Sequence, residues 1–280
     1  MKRGVWSFAA SGLQSLLRSR GYTMLRTTTL ERLSTEGPPG TSAEGGDSPS
    51  LRELAVRHGT DKEGAHFYAR WYERFLAHLR DRPITLLEIG VGGYEDPTVG
   101  GESLRMWKEY FPSGRIVAID VYDKQALVED RIDIVQGSQD DPVVLERLGN
   151  EYGPFDVIVD DGSHHSPHVI ASFTHLFPHL TPDGIYVIED LQTSYWPEFQ
   201  GSHDLGDPAT SMNFLKRLVD GLNHVEWDVV DYEPTTTDRQ IESITFVHNM
   251  AFIQRGPNDE PSNLLPPHPR NRTHWDRRGT

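Results

Sequence analysis

The stretch LLEIGVGGYEDP, residues 86–97, is a short apolar run that stops abruptly at a glycine-rich turn. Its apolar half reads as a buried strand. Gly90, Gly92 and Gly93 let the chain turn sharply and let its backbone approach a ligand closely. Working outward, the run belongs to a series: ITLLEIG (84–90), RIVAIDV (115–121), FDVIVDD (155–161) and IYVIED (185–190), with a weaker member, RIDIVQG, at 131–137. Helical candidates separate them at 102–111, 141–151 and 167–180. Another precedes them at 66–80, where Phe67, Trp71, Phe75 and Leu79 recur every four residues. Continuous apolar strands alternating with helices imply a parallel sheet covered on both faces. After Asp190 the pattern changes to a helix near 208–223 and two close runs, SITFVHN (243–249) and MAFIQRG (250–256), that suit an antiparallel pair. The expected architecture is α/β, a doubly wound, mostly parallel sheet with an antiparallel edge hairpin.

In such sheets a ligand sits beyond the carboxyl ends of the strands, where the strand order reverses. Glu88, two residues before Gly90, suits the ammonium of an amino acid. Asp120, 30 residues after Gly90 and at the next strand end, suits the two hydroxyls of a ribose; a solvated strand-end carboxylate is the alternative reading. The third glycine of the dinucleotide fingerprint is missing. The segment YEDPTVGGE (94–102) also intervenes before the next helix, so a pyrophosphate would not meet a helix N-terminus directly. That favours S-adenosylmethionine, which carries no phosphate, over a nicotinamide dinucleotide. Ser138 and Gln139, at the end of the third strand, are placed to reach the adenine and its polar edge.

The fourth and fifth strands end in VDDGSHH (159–165) and VIEDLQ (187–192). Neighbouring strand ends lie ~4.8 Å apart, so Asp160, Asp161, Glu189 and Asp190 would crowd one rim. Carboxylates so close repel one another unless a cation neutralises them. Oxygen ligands point to Mg2+ or a similar hard ion; His164, His165 and His168 keep zinc as the alternative. Side-chain alternation favours Asp161 as the inward residue of its pair. His164 follows three residues later, across a Gly-Ser turn, and can take a proton from a hydroxyl whose pKa a cation has lowered. The alternative is that it caps the next helix.

Composition narrows the choice. The chain has 280 residues and no cysteine, which removes thiolate catalysis, cysteine-ligated zinc and disulfides. Its net charge of −15 disfavours nucleic acid and anionic membranes and tolerates a neutral acceptor. No run approaches the ~20 apolar residues of a membrane span. The start, MKRGVWSFAASGL, resembles an export signal only superficially, because Ser7, Ser11 and Gln14 interrupt it and no cleavage site follows, so a cytoplasmic protein is expected. Leu13, Leu16 and Leu17 suggest helices within 1–35; 36–50 is a Gly/Pro/Ser-rich linker, 51–256 the main domain and 257–280 an irregular tail.

Taken together, HGTDK (58–62), LLEIGVGG (86–93), GGESLRMWK (100–108), AIDV (118–121), DDGSHH (160–165), IEDLQTSYWP (188–197) and HNMAFIQRG (248–256) resemble the Mg2+-dependent sugar O-methyltransferases of antibiotic and glycan biosynthesis. The resemblance implies a Rossmann-like class I methyltransferase with a seven-stranded sheet. It implies that Thr60, Glu88, Gly90, Gly92, Gly93, Ser103, Asp120, Ser138, Gln139 and Asp161 hold the methyl donor. Asp161, Glu189 and Asp190 would ligate the metal, and His164 would be the general base. Tyr195 and Trp196 fall where the family shapes its sugar pocket, with core packing as the alternative. The expected partner is a small-molecule or oligosaccharide sugar acceptor, with a homo-oligomer left open. Macrolide members carry a further domain ahead of the catalytic one; with about 50 residues before HGTDK, that domain is expected to be absent here. Two rival functions are a catechol- or phenol-type metal-dependent O-methyltransferase and a nicotinamide-dependent sugar oxidoreductase.

Overall fold

The structure, a computed structural model, describes residues 48–262 apart from 228 and 230. The helices expected within 1–35, nearly all of the 36–50 linker and most of the 257–280 tail lie outside the described residues.

The described chain opens with α1 (Leu51–His58), which periodicity did not signal. Ser50 and Glu53 cap it reciprocally, and Gly59 closes it in a left-handed turn. The helix expected over 66–80 is shorter. α2 covers Ala69–Leu76 and tightens into a 3-10 turn at Ala77–Leu79. Its fully buried face is Tyr68, Ala69, Tyr72 and Leu76; of the expected stripe, Leu79 is buried and Trp71 and Phe75 pack against the core, while Phe67 is 44% exposed. Two tyrosines join that face, and their hydroxyls meet the carboxylates of Asp190 and Glu189, as described below.

The sheet follows: β1 (Thr85–Ile89), α3 (Glu102–Tyr110), β2 (Arg115–Asp120), β3 (Ile132–Gln136), α4 (Pro142–Tyr152), β4 (Phe155–Asp160), α5 (Ser166–Leu176) and β5 (Leu180–Ile188). Then come α6 (Ser211–Gly221), α7 (Thr236–Gln240), β6 (Ile241–Val247) and β7 (Met250–Arg255). The weak 131–137 candidate is a true strand. The fifth strand is longer than its apolar run, because Leu180–Gly184 joins it through a register shift that Phe155 accommodates on β4. The 167–180 helix stops at Leu176, and the helix near 208–223 starts only at Ser211, capped by Thr210.

Seven strands form one sheet in the order β3-β2-β1-β4-β5-β7-β6. The first five pair in parallel; β7 is antiparallel to both β5 and β6. Alternate residues divide the core between the two faces. Leu86, Val157, Val159, Ile185 and Val187 pack under α1, α2 and α3. Leu87, Ile89, Ile158, Tyr186 and Ile188 pack under α4, α5 and α6. Strand order reverses between β1 and β4, so a crevice opens at their carboxyl ends. No helix among the described residues is long and apolar enough to cross a membrane.

Candidate active site

Five strand ends are laced into one rim. The amide just past each strand donates to the last carbonyls of its neighbour: Gly90 to Ile119 (2.8 Å), Gly137 to Asp120 (2.8 Å), Asp161 to Ile89 (3.1 Å) and Glu189 to Asp160 (3.0 Å). Leu191 continues the pattern to Asn249 (3.0 Å). The segments singled out in the sequence are therefore fixed to one another by backbone hydrogen bonds before their side chains are considered.

At the β1 end, Gly90, Gly92 and Gly93 all hold positive φ. A Cβ on Gly90 would strike the backbone carbonyl of Asp161, and one on Gly93 that of Val99. We expect Gly90→Ala to lose about 1–2 kcal/mol of stability from its left-handed backbone alone. The displaced Asp161 should also weaken nucleoside binding at least tenfold; thermal melting and calorimetry read the two effects. Asp120 accepts from the amides of Val91 and Tyr122, both at 2.9 Å, which ties the second strand end to the glycine turn. Lys124, fully buried, donates to the carbonyls of Asp96 and Val99 and anchors the 94–101 segment.

Glu88 is buried and accepts from Ser103 (2.9 Å). Thr60 is buried where the chain leaves α1. Ser138 bonds Asp140, so its hydroxyl is engaged locally. Gln139 is likewise committed: its amide donates to Asp160 (3.1 Å) and accepts from Ser163 N–H (2.6 Å). It braces the loop that carries His164, a role its position in the sequence did not suggest.

Asp160 and Asp161 part company at the end of β4. Asp160 points into the core toward Ser172 and Gln139, while Asp161 keeps about a quarter of its side chain exposed at the rim. His164 Nε2 lies 4.0 Å from Asp161 Oδ1 and 3.6 Å from Asp190 Oδ2. One ligand atom from each of these three residues falls within 4.8 Å of the others. His164 and Asp190 both adopt left-handed φ, 58° and 52°. Non-glycine residues hold that conformation at a cost, and only where surroundings impose it. Thr193 supplies one constraint, its hydroxyl donating to the His164 and Asp190 carbonyls. His164 does not cap α5: its N-cap is His165, without a side-chain cap.

Glu189 is not part of that trio. Its Oε1 accepts from Lys62 Nζ (2.6 Å) and from the Tyr72 hydroxyl. Lys62 also donates to Asp161 Oδ2 (2.7 Å) and stands 3.3 Å from Glu88 Oε1. Burial works against the Lys62 charge, but Asp161, Glu189 and Glu88 outweigh it and hold the ammonium well above the ordinary lysine range. Tyr68 completes the set, donating to Asp190 Oδ1 (2.6 Å) while stacked on His66. Lys62, Tyr68 and Tyr72 were missed from sequence because a lysine reads as solvated and a tyrosine in a helix reads as packing. The i, i+4 spacing of the two tyrosines, just after DK, was the available signal.

Tyr195 and Trp196 end the 3-10 segment that follows Asp190. Tyr195 is 39% exposed; Trp196 is half-buried against Phe199, which also touches His165.

Comparison with known proteins agrees with this fold. A family model described as a methyltransferase domain matches residues 50–191. The chain is 50% identical over 218 residues to the 8-demethyl-8-alpha-L-rhamnosyl tetracenomycin-C 2'-O-methyltransferase of Streptomyces olivaceus, covering 78% of this chain and 57% of that protein. It is 45% identical over 219 residues to the mycinamicin VI 2''-O-methyltransferase of Micromonospora griseorubida, covering 77% and 55%. The chain thus spans a little over half the length of the curated relatives it matches. Among solved structures, the MycE methyltransferase of mycinamycin biosynthesis, in complex with Mg, SAH and mycinamycin VI, superposes with a TM-score of 0.77 at 40% identity, covering 92% of this chain and 68% of that one. Strand order, glycine turn and family model converge, and the chain belongs to the methyltransferase domain family.

Proposed function

We propose that this protein transfers the methyl group of S-adenosylmethionine to a sugar hydroxyl on a glycosylated natural product or polysaccharide. Mg2+ would sit at the acidic rim, His164 would act as base, and 51–256 would be the catalytic domain, working in the cytoplasm. One observation carries the reading: Asp161, His164 and Asp190 converge beside the glycine turn, at the topological switch point. The relatives named for O-methylation of rhamnosyl and mycinamicin sugars support the acceptor class. The nicotinamide alternative falls with the family.

The residues fit both groups. Oxygen donors without sulfur suit a hard divalent ion. Asp161 and Asp190 would hold it, with Glu189 offering the oxygen that Lys62 does not occupy. Such an ion, when bound, lowers the pKa of a hydroxyl it touches. At Gly90 and Gly93 the turn has no room for a side chain, and the tethered Asp120 is placed for a ribose. His164 would take the proton of the acceptor hydroxyl at Nε2, and S-adenosylmethionine, when bound, would supply the methyl group to that oxygen. The imidazole becomes imidazolium, and Asp190 and Asp161 stabilise its charge. Aromatic faces at Tyr195 and Trp196 suit the apolar side of a sugar ring.

The test is methyl transfer from labelled S-adenosylmethionine to a panel of rhamnosides and catechols, with Mg2+ and with excess EDTA. We expect label on the rhamnosides and none after EDTA. Turnover of catechols alone would overturn the acceptor class, and full turnover in EDTA would overturn the role of the metal.

A further inference from the structure

Lys62 has no part in the steps above, yet it is almost wholly enclosed within the site. Its side chain is 1% exposed, and its Nζ sits among three carboxylates from three strand ends: Glu88 near the end of β1, Asp161 just after β4 and Glu189 just after β5. The placement is built in, because the Lys62 carbonyl accepts from the amides of Tyr68 (3.0 Å) and Ala69 (3.1 Å) as α2 begins. The backbone from which the ammonium reaches inward is therefore pinned at the start of α2. A buried ammonium among carboxylates is costly to desolvate, and a single packing role would be met more cheaply by an apolar residue.

Two features give the charge a direction. Asp161 is divided: Oδ2 faces Lys62, and Oδ1 faces His164 and the rim. Glu88 Oε1, wholly buried, has no hydrogen-bond partner, so the nearby ammonium is what balances it. We propose that Lys62 is a resident counter-ion and positioning residue, which fixes the oxygen that Asp161 turns to the rim and sets the net charge that the rim presents to a divalent ion. This inference rests on the metal-assisted reading. Like charges so close repel strongly even at the effective dielectric of a protein interior. Lys62 thus holds ion affinity down while holding the ligands in register.

The consequence separates this role from a merely structural one, since disorder would weaken ion binding and catalysis together. In the full chain at pH 8 and low salt, Lys62→Met should tighten Mn2+ binding, followed by electron paramagnetic resonance, by about tenfold or more. Methyl transfer should fall in the same variant. A second route avoids dependence on its folding: Glu88→Gln should loosen Mn2+, and adding Lys62→Met should bring affinity back toward that of the unmodified protein. Unchanged or weaker Mn2+ binding in Lys62→Met, or no recovery in the double variant, would overturn the proposal. An unmodified protein that binds no Mn2+ would instead overturn the metal reading, and this inference with it.

Discussion

His164→Ala should slow methyl transfer about a thousandfold while leaving divalent-ion affinity within a few fold. A positioned general base contributes about 10²–10⁴ in rate. The other histidine near Asp190, His66, is stacked on Tyr68 and faces Oδ1 of that carboxylate at 3.8 Å, whereas His164 faces Oδ2. His165 points instead toward Gln200 and Phe199, and His168 bonds Ser163. The His164 ring is about one-fifth exposed, enough to meet an acceptor, and its Nε2 is the atom nearest Asp190 and Asp161. The same closeness allows the opposite assignment, because His164 belongs to the trio able to hold an ion. The variants separate the two. If His164 is the base, its loss leaves Asp161 and Asp190 to bind Mn2+ nearly as before. If it is a ligand, Mn2+ affinity drops with the rate. Asp161→Ala should lose both activity and ion binding, and gives the reference for what removal of a ligand does. Rates extrapolated to saturating Mn2+ decide between them: a ligand variant recovers in part, a base variant does not.

Much of this site could be seen in the sequence, for a physical reason. Buried parallel strands are near-continuous apolar runs, so their ends are marked by the first polar residues, and in this architecture strand ends are where the chemistry lies. Glu88, Asp120, Asp161 and Asp190 were legible on that ground alone. The β6–β7 pair was visible because its two runs are too close for a crossover. What stayed hidden depends on contacts between segments distant in the chain. Lys62 lies 99 residues from Asp161 and 127 from Glu189, and only folding brings them together. The same holds for Tyr68 and Tyr72, whose hydroxyls meet Asp190 and Glu189 from 122 and 117 residues away. Gln139 was read as a ligand contact, but the fold uses its amide to join Asp160 to the His164 loop. α1 differs from these: the reciprocal cap of Ser50 and Glu53 was written in the local sequence, and eight residues gave too short a period to notice it.

Asp160→Asn should stabilise the metal-free protein by about 2–3 kcal/mol near pH 7.5, with the gain shrinking below about 1 kcal/mol at pH 4.5. Burial pushes the Asp160 carboxyl up to about 6, against the opposing hydrogen bonds of Ser172 and Gln139. The folded state therefore binds this proton more tightly than the unfolded chain, where a carboxyl titrates near 3.9. A raised value of this kind favours folding below the unfolded pKa, and the benefit is lost as pH climbs through the folded one. The window is thus about pH 4 to 6, and above it the wild-type protein carries a charged carboxylate cut off from water. Asparagine removes the charge and can keep the contacts to Gln139 and Ser172, giving up only the long 3.5 Å bond from the Tyr186 hydroxyl. Its carbonyl accepts from Gln139, and its amide donates to Ser172 Oγ, whose own proton can turn to the Val169 carbonyl 3.1 Å away. Carboxylates held low by partners, such as Asp140 beside Ser138 and Glu146 beside His175, lose stability as pH falls, but equally in both proteins. The difference between variant and wild type therefore isolates Asp160. Denaturant unfolding in EDTA at the two pH values measures it, and an equal gain at both would show that Asp160 is not charged in the folded protein at neutral pH.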